Sequence, residues 1–231
     1  RDLSNYPIYG LNIPAREISG DFYDFYLHDD QLYFTLSDVS GKGVNAGMVM
    51  AKAITLFKIF ARQKFKPNEI LLEMNNDLKE TNPPGTFITS IVGSYNLKTD
   101  IVEISNAGHQ PAILRKGDNF TEFPSSSTPL AVIRQKYSDV YKLASFKLDE
   151  GRIYCFTDGF SECLDENNKE IGIDGVKELI LKHENSSLKK ELENATEEIR
   201  LKSLKKDTIE KGIKENSDIL DDDLTIIGIG K

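Results

Sequence analysis

Five aspartates stand where an apolar strand would be easier to bury without them. Asp21 opens the aromatic run FYDFY, Asp38 closes the alternating segment QLYFTLSD, Asp158 closes Ile153–Thr157, and Asp222 and Asp223 precede Leu224–Ile229. Side chains on a strand alternate with period two. Asp38 therefore shares a face with Phe34 and Leu36, Asp158 with Tyr154 and Phe156, and Asp222 with Leu224 and Ile226. If those rows line one shared core, the carboxylates converge at its rim. Like charges repel strongly where water is scarce, and a divalent cation removes that cost. Oxygen-only donors suit Mg²⁺ or Mn²⁺, and no His or Cys cluster offers a zinc or copper site. Taken singly, each position also fits a turn or cap aspartate. Asp24 lies three residues from Asp21 and so falls on the opposite face, which gives it a structural or supporting role.

The elements that must position these groups follow from periodicity. Residues 6–38 read as strands, with His28-Asp29-Asp30 as the turn of a hairpin over 21–38. Gly41 and Gly43 let the chain turn sharply out of that hairpin. A helix over Asn45–Gln63 follows, with Met48, Ala51, Ile54/Thr55 and Ile59 assigned inward. Pro67 starts a second helix carrying Ile70, Leu71, Met74 and Leu78, stopped by Asn82-Pro83-Pro84-Gly85. From Phe87 to Thr157 come short strands, among them FITSIVGSYNL, DIVEISNA, PAILRK, NFTEF, SDVYKLASFKL and GRIYCFTD. That spacing predicts antiparallel sheets. Helical patterns return at Gly175–Lys182 and Leu188–Lys214, the latter reading as a solvated face of mixed charge that includes Glu191, Glu193, Glu197 and Glu198. One last strand runs over Leu224–Lys231.

The 231 residues are enough for one domain with a sizeable core, burying roughly 70–75 % of the unfolded chain's surface. We expect a single domain over 1–231. Because the chain starts at Arg1 rather than Met, it reads as a piece of a longer protein. A net charge of −8 argues against nucleic acid as the main partner, since phosphate binding needs a basic face. No uninterrupted apolar run approaches the roughly 18 residues of a membrane span, so no membrane contact is expected of this domain. Cys155 and Cys163 form neither a CxxC pair nor a disulfide framework, which fits a cytoplasmic setting.

The segments PAREISGDFYDFY, SDVSGKGVNAGMVMA, NAGHQP, TPLAV, FTDGFSE and DDDLTIIGI occur in that order. Together they resemble the bacterial SpoIIE/RsbU-type branch of the PPM (type-2C) metal-dependent serine/threonine protein phosphatases, from about Tyr9 to Lys231. The resemblance implies an α+β fold, a four-layer α/β/β/α sandwich of two antiparallel sheets flanked by helices. It implies two Mn²⁺ or Mg²⁺ ions at one edge. Asp38 would bridge them, with Asp21, Asp158, Asp222 and the backbone carbonyl of Val39 completing the set. Asp223 would support the ligand beside it. Arg16, five residues before Asp21, corresponds to a phosphate-binding Arg of eukaryotic relatives, but it also reads as an ordinary exposed strand-end Arg. Ser40 stands where those relatives carry a general-acid His. Ala131 in TPLAV stands where Gly is common. His109 in NAGHQP reads as a hydrogen-bonded turn residue, because the family does not ligate metal through His.

The implied activity is hydrolysis of phosphoserine or phosphothreonine by a metal-activated water. This is consistent with the absence of a Cys-x5-Arg loop after either cysteine. The usual substrate in this branch is a phosphorylated anti-sigma-factor antagonist in partner-switching signalling. The resemblance also allows a homodimer through regions outside or at the start of the domain, and placement as the cytoplasmic part of a larger, membrane-anchored sensor. Two other readings stand beside it: an inactive phosphoprotein-binding module, and a metal-dependent hydrolase of small phosphoesters.

Overall fold

The structure is a computed structural model that describes residues 6–15, 19–41, 43–165, 167–184, 187–211, 220 and 222–230, with side chains for all of these except 204–211. Arg16 lies outside the described residues.

Two five-stranded antiparallel sheets stack face to face. The first is ordered β1 (Ile8–Ile13), β10 (Leu224–Ile229), β9 (Arg152–Phe156), β6 (Ala112–Lys116), β7 (Asn119–Phe123). The second is ordered β2 (Asp21–His28), β3 (Gln31–Val39), β4 (Ile88–Asn96), β5 (Ile101–Ala107), β8 (Ala144–Lys147). Leu32, Phe34, Leu36, Ile91, Ile104, Ile153, Cys155 and Ile227 form the core between them. On the outer side of the second sheet lie α1 (Val44–Arg62) and α2 (Pro67–Thr81), over Phe22, Tyr33 and Val92. On the outer side of the first sheet lie α3 (Asp158–Ser161), α4 (Gly172–Lys182) and α5 (Leu188–Lys211), over Ile113, Tyr154, Phe156 and Ile226. The layers are therefore α/β/β/α, as the resemblance implies.

The hairpin forms where the sequence places it. Asp29 takes φ 52 in its turn, a conformation Asp tolerates, and the register pairs Asp21 with Asp38. Pro67 opens α2, and the Lys66 amide donates to Glu69 Oε2 at 2.8 Å, satisfying one free N–H of the first turn.

Four expectations are corrected. In α1 the buried face is Ala46, Val49, Ala53, Phe57 and Ala61, while Met48 is 68 % exposed and Ala51, Thr55 and Ile59 also face outward. Both faces of this helix are apolar, so periodicity alone gives two solutions. The sheet takes the face whose alanines permit close approach. By length and composition α1 could cross a bilayer, but it lies along the second sheet. In SDVYKLASFKL only β8 is strand: Ser138–Val140 is a 3-10 turn, and Tyr141 is fully buried in the core beneath α1 and α2. That inward turn of Tyr141 breaks the alternation.

The third correction concerns the aspartate rows. Phe34 and Leu36 face the core between the sheets, whereas Tyr154, Phe156, Leu224 and Ile226 face the helices on the far side of the first sheet. The rows do not share a core. The fourth is Glu191, which is 1 % exposed rather than solvated. It accepts a hydrogen bond from Tyr154 Oη at 2.6 Å and pairs with Arg152 and Arg115, which face each other across β9 and β6. This charge cluster holds α5 on the first sheet at the end away from the aspartates.

Candidate metal centre

Asp21 and Asp38 come together through the hairpin register, and both point into the gap between the sheets with Tyr23 and Leu36. The other half arrives by a different route. Strand β9 ends at Phe156, so Asp158 is the first residue of α3 rather than a continuation of the Tyr154 row. Thr157 lies between them. Its amide donates to the Thr225 carbonyl at 3.0 Å, and its hydroxyl receives the Thr225 amide at 3.2 Å and donates to Asp21 Oδ2 at 2.6 Å. The start of β10 thus carries Asp222 and Asp223 to the place where β9 delivers Asp158. Gly159 makes that meeting possible, because a Cβ there would lie 2.2 Å from the Asp223 carbonyl oxygen.

Asp223 is a clamp. Its Oδ1 accepts the Ala15 amide at 2.7 Å, and its Oδ2 accepts Ser19 Oγ at 2.7 Å and the Gly20 amide at 2.8 Å. The segment leading into Asp21 is therefore fixed to β10 by Asp223. The Val39 carbonyl lies beside Gly20, where a Cβ would come within 3.0 Å of it, and the Val39 amide donates to the Gly20 carbonyl at 3.2 Å. Asp24 faces α1 and pairs with Lys58 at 2.7 Å, away from the cluster. Ser40 Oγ accepts the Phe87 amide at 2.8 Å, and the Ser40 amide donates to the Phe87 carbonyl at 3.0 Å, so this residue ties down the end of β3. Ala131 takes φ 66, which explains why glycine is common there, and its amide donates to Asn75 Oδ1 at 3.0 Å.

The electrostatics are those of crowded anions. Burial pushes Asp21 up to about 8, with Asp38 and Asp223 adding to the rise and the Thr157 hydroxyl opposing it. Burial likewise raises Asp38 to about 6, helped by Asp158, Asp222 and Asp223 and opposed by a hydrogen bond with Asp21. Asp158 is raised by burial and then by Asp222. Glu162, which the sequence reading missed, is raised by burial and then by Asp158, Glu170 and Asp222. Its position one turn after Asp158 was the available signal. Thr157 and Thr225 were missed as well, and nothing local marks them as the support of Asp21. A cavity of about 270 Å³ opens beside Asp222, bordered by Gly159, Glu162, Glu170 and Lys202.

Among the described residues no ion pair neutralises Asp21, Asp38, Asp158, Asp222 or Asp223, and no three side chains close into a metal cage. The donor chemistry nevertheless fits a hard divalent ion: all-oxygen, anionic and partly dehydrated.

The comparisons agree with this architecture. The model of the family described as Stage II sporulation protein E (SpoIIE) matches residues 28–230. The phosphoserine phosphatase RsbU of Bacillus subtilis (strain 168) is 28 % identical over 160 residues, 68 % of this chain and 47 % of that protein. Protein IcfG of Synechocystis is 25 % identical over 190 residues, 70 % of this chain and 30 % of that protein. The chain thus spans less than half the length of these curated relatives. Among solved structures, the SiaA-PP2C domain of Pseudomonas aeruginosa superposes with a TM-score of 0.80 at 17 % identity, covering 99 % of this chain and 88 % of that one. RsbX in complex with magnesium gives 0.66 at 18 %, covering 96 % and 92 %. With its two antiparallel sheets, its flanking helices and a family match over most of its length, the chain belongs to the SpoIIE family of PP2C-type phosphatase domains.

Proposed function

We propose that this domain is a protein phosphatase that hydrolyses phosphoserine or phosphothreonine in a regulatory protein, of the anti-sigma-factor-antagonist class. The observation that carries the reading is the meeting of Asp21, Asp38, Asp158 and Asp222, four carboxylates from distant segments, at one end of a SpoIIE-family sandwich. The relative named a phosphoserine phosphatase and the fold neighbour solved with magnesium support it. Asp21, Asp38, Asp158, Asp222 and the Val39 carbonyl would hold two Mn²⁺ or Mg²⁺ ions. Such ions supply an activated water and neutralise the phosphoryl oxygens in an in-line displacement.

The chain's own residues do the rest. Thr157 and Asp223 hold Asp21 in place before any ion arrives, so its orientation is set in advance. Gly20 leaves the Val39 carbonyl open to approach. Of the four carboxylates, Asp222 borders the cavity that would admit a phosphorylated side chain. Neither cysteine is set up as a nucleophile: both are buried, and burial pushes the Cys155 thiol well above its usual range.

The test is hydrolysis of an aryl phosphate and of a phosphoserine protein with Mn²⁺, beside the Asp158→Asn variant and excess chelator. We expect activity only in the metal-loaded wild type. Activity surviving in the variant or in chelator refutes the metal mechanism. Mn²⁺ uptake without hydrolysis of any phosphoester marks an inactive phosphoprotein-binding module instead.

A further inference from the structure

His109 is not among the carboxylates, yet its ring meets residues that adjoin them on both sheets, Thr89 and Phe156. It lies in the turn between β5 and β6. Asn106 builds that turn: its Oδ1 accepts the His109 amide at 2.9 Å, and its Nδ2 donates to the carbonyls of His109 and Gln110. Gly108 takes φ 69 with the Pro129 ring packed where a Cβ would be. The imidazole is thereby driven inside and is 7 % exposed.

One side of the ring engages the second sheet. Nδ1 lies 2.7 Å from Thr89 Oγ1, and Thr89 is the direct cross-strand partner of Asp38. Directly opposed residues of an antiparallel pair place their side chains on one face, so the Thr89 hydroxyl stands beside the Asp38 carboxylate. The other side of the ring meets the first sheet, at the backbone of Phe156. Phe156 is the residue before Thr157, which holds Asp21, and two before Asp158. Nε2 is sealed from water without a well-formed hydrogen bond. Burial lowers the imidazole to about 4, so the ring is neutral near pH 7.

A leucine or phenylalanine would fill the same space without burying an unmatched nitrogen, so packing alone does not account for the residue. Most of the gap between the sheets is filled by non-directional apolar contacts, and few directional links cross it: Tyr23 Oη donates to the Gly10 carbonyl at 2.9 Å and Thr157 Oγ1 to Asp21 Oδ2 at 2.6 Å, but neither reaches the Asp38 side of the second sheet. We propose that His109 is a positioning residue: a strut from Thr89 to the end of β9 that sets the separation between Asp38 on the second sheet and Asp158 just beyond the end of β9, and hence the spacing at which the carboxylates can share divalent ions. The catalytic consequence rests on the phosphatase reading, whereas the effect on ion binding does not.

The test uses His109→Phe, which keeps ring volume, Thr89→Val, which keeps shape and loses the hydroxyl, and the double variant. Mn²⁺ binding is measured by calorimetric titration and by the Mn²⁺ electron spin resonance signal. Melting in chelator and the separate kcat and KM for an aryl phosphate complete the set. We expect each single variant to lose about 10–100-fold in Mn²⁺ affinity, the usual effect of removing a group that orients a ligand. The double variant should lose no more than the worse single, because the two residues act as one unit. In chelator His109→Phe should melt close to the wild type, whereas Thr89→Val, which leaves Nδ1 buried without its partner, should melt lower. At saturating Mn²⁺, kcat should fall with KM little changed. If His109→Phe does not fold, Thr89→Val decides. Wild-type Mn²⁺ affinity in a folded variant overturns the strut, as does a wild type that takes up no Mn²⁺. A wild type that binds Mn²⁺ but hydrolyses nothing defeats the phosphatase reading alone, and the strut is then judged on Mn²⁺ affinity.

Discussion

Replacing Asp21 by Asn should stabilise the metal-free protein and remove most of the stabilisation that Mn²⁺ brings. The side chain is 5 % exposed, and its carboxyl is pushed up to about 8, first by burial. A carboxyl whose folded value lies above its unfolded value contributes stability below about pH 4 and loses it as pH rises through about 8. At pH 8, ionising Asp21 in the fold rather than in the unfolded chain costs roughly 5 kcal/mol on this scale, and local rearrangement leaves about 3 kcal/mol. Asn keeps the shape and can still accept the Thr157 hydroxyl, but carries no charge to strand. In chelator at pH 8, Asp21→Asn should therefore be more stable by about 3 kcal/mol, or roughly 6–12 °C in melting temperature for a chain of this length. At pH 5 the gap should shrink, because the wild-type carboxyl is then protonated. Mn²⁺ at about a hundred times its Kd adds about 2.7 kcal/mol to the wild type and should add little to the variant. The difference between the two proteins then nearly closes. Urea unfolding in chelator and in Mn²⁺ at both pH values reads all four corners. A variant no more stable than wild type in chelator at pH 8, or stabilised equally by Mn²⁺, refutes the crowded-carboxylate argument.

Glu191→Gln should cost about 3 kcal/mol in urea unfolding, because it leaves Arg115 and Arg152 facing each other without their buried counter-charge. That loss should persist in high salt, unlike the exposed pair of Lys98 with Asp30. Gly159→Ala forces a Cβ against the Asp223 carbonyl and should displace Asp158 from Asp222. We expect a loss of about 2 kcal/mol and of Mn²⁺-dependent stabilisation together, seen in one thermal-melting series.

What the sequence determined by itself is the part settled by short-range rules. The hairpin that pairs Asp21 with Asp38 needs only alternation and a two-residue turn at Asp29-Asp30, so the pairing was legible before any fold was known. Helix α2 was legible for the same reason, with Pro67 at its start and a single apolar face. The motifs, taken in order, pointed to the family and its layers. Residue types alone marked the carboxylates as hard-ion donors.

The tertiary structure decided everything that depends on which distant segments become neighbours. Strand periodicity placed Asp158 and Asp222 on rows that turned out to face the outer helices. They reach the site because each lies just outside its strand, where β9 and β10 run side by side, not because the alternation continues into them. Helix α1 has two apolar faces, and only the sheet chose between them. Glu191 looked like one solvated charge among many until two arginines from neighbouring strands met it. His109 looked like a turn residue, and its contact with the threonine opposite Asp38 comes from a strand twenty residues away. Local propensity acts over a few residues, whereas charge, burial and sheet stacking act on whatever the fold brings within a few ångströms. The carboxylates were therefore readable one by one, and their meeting was not.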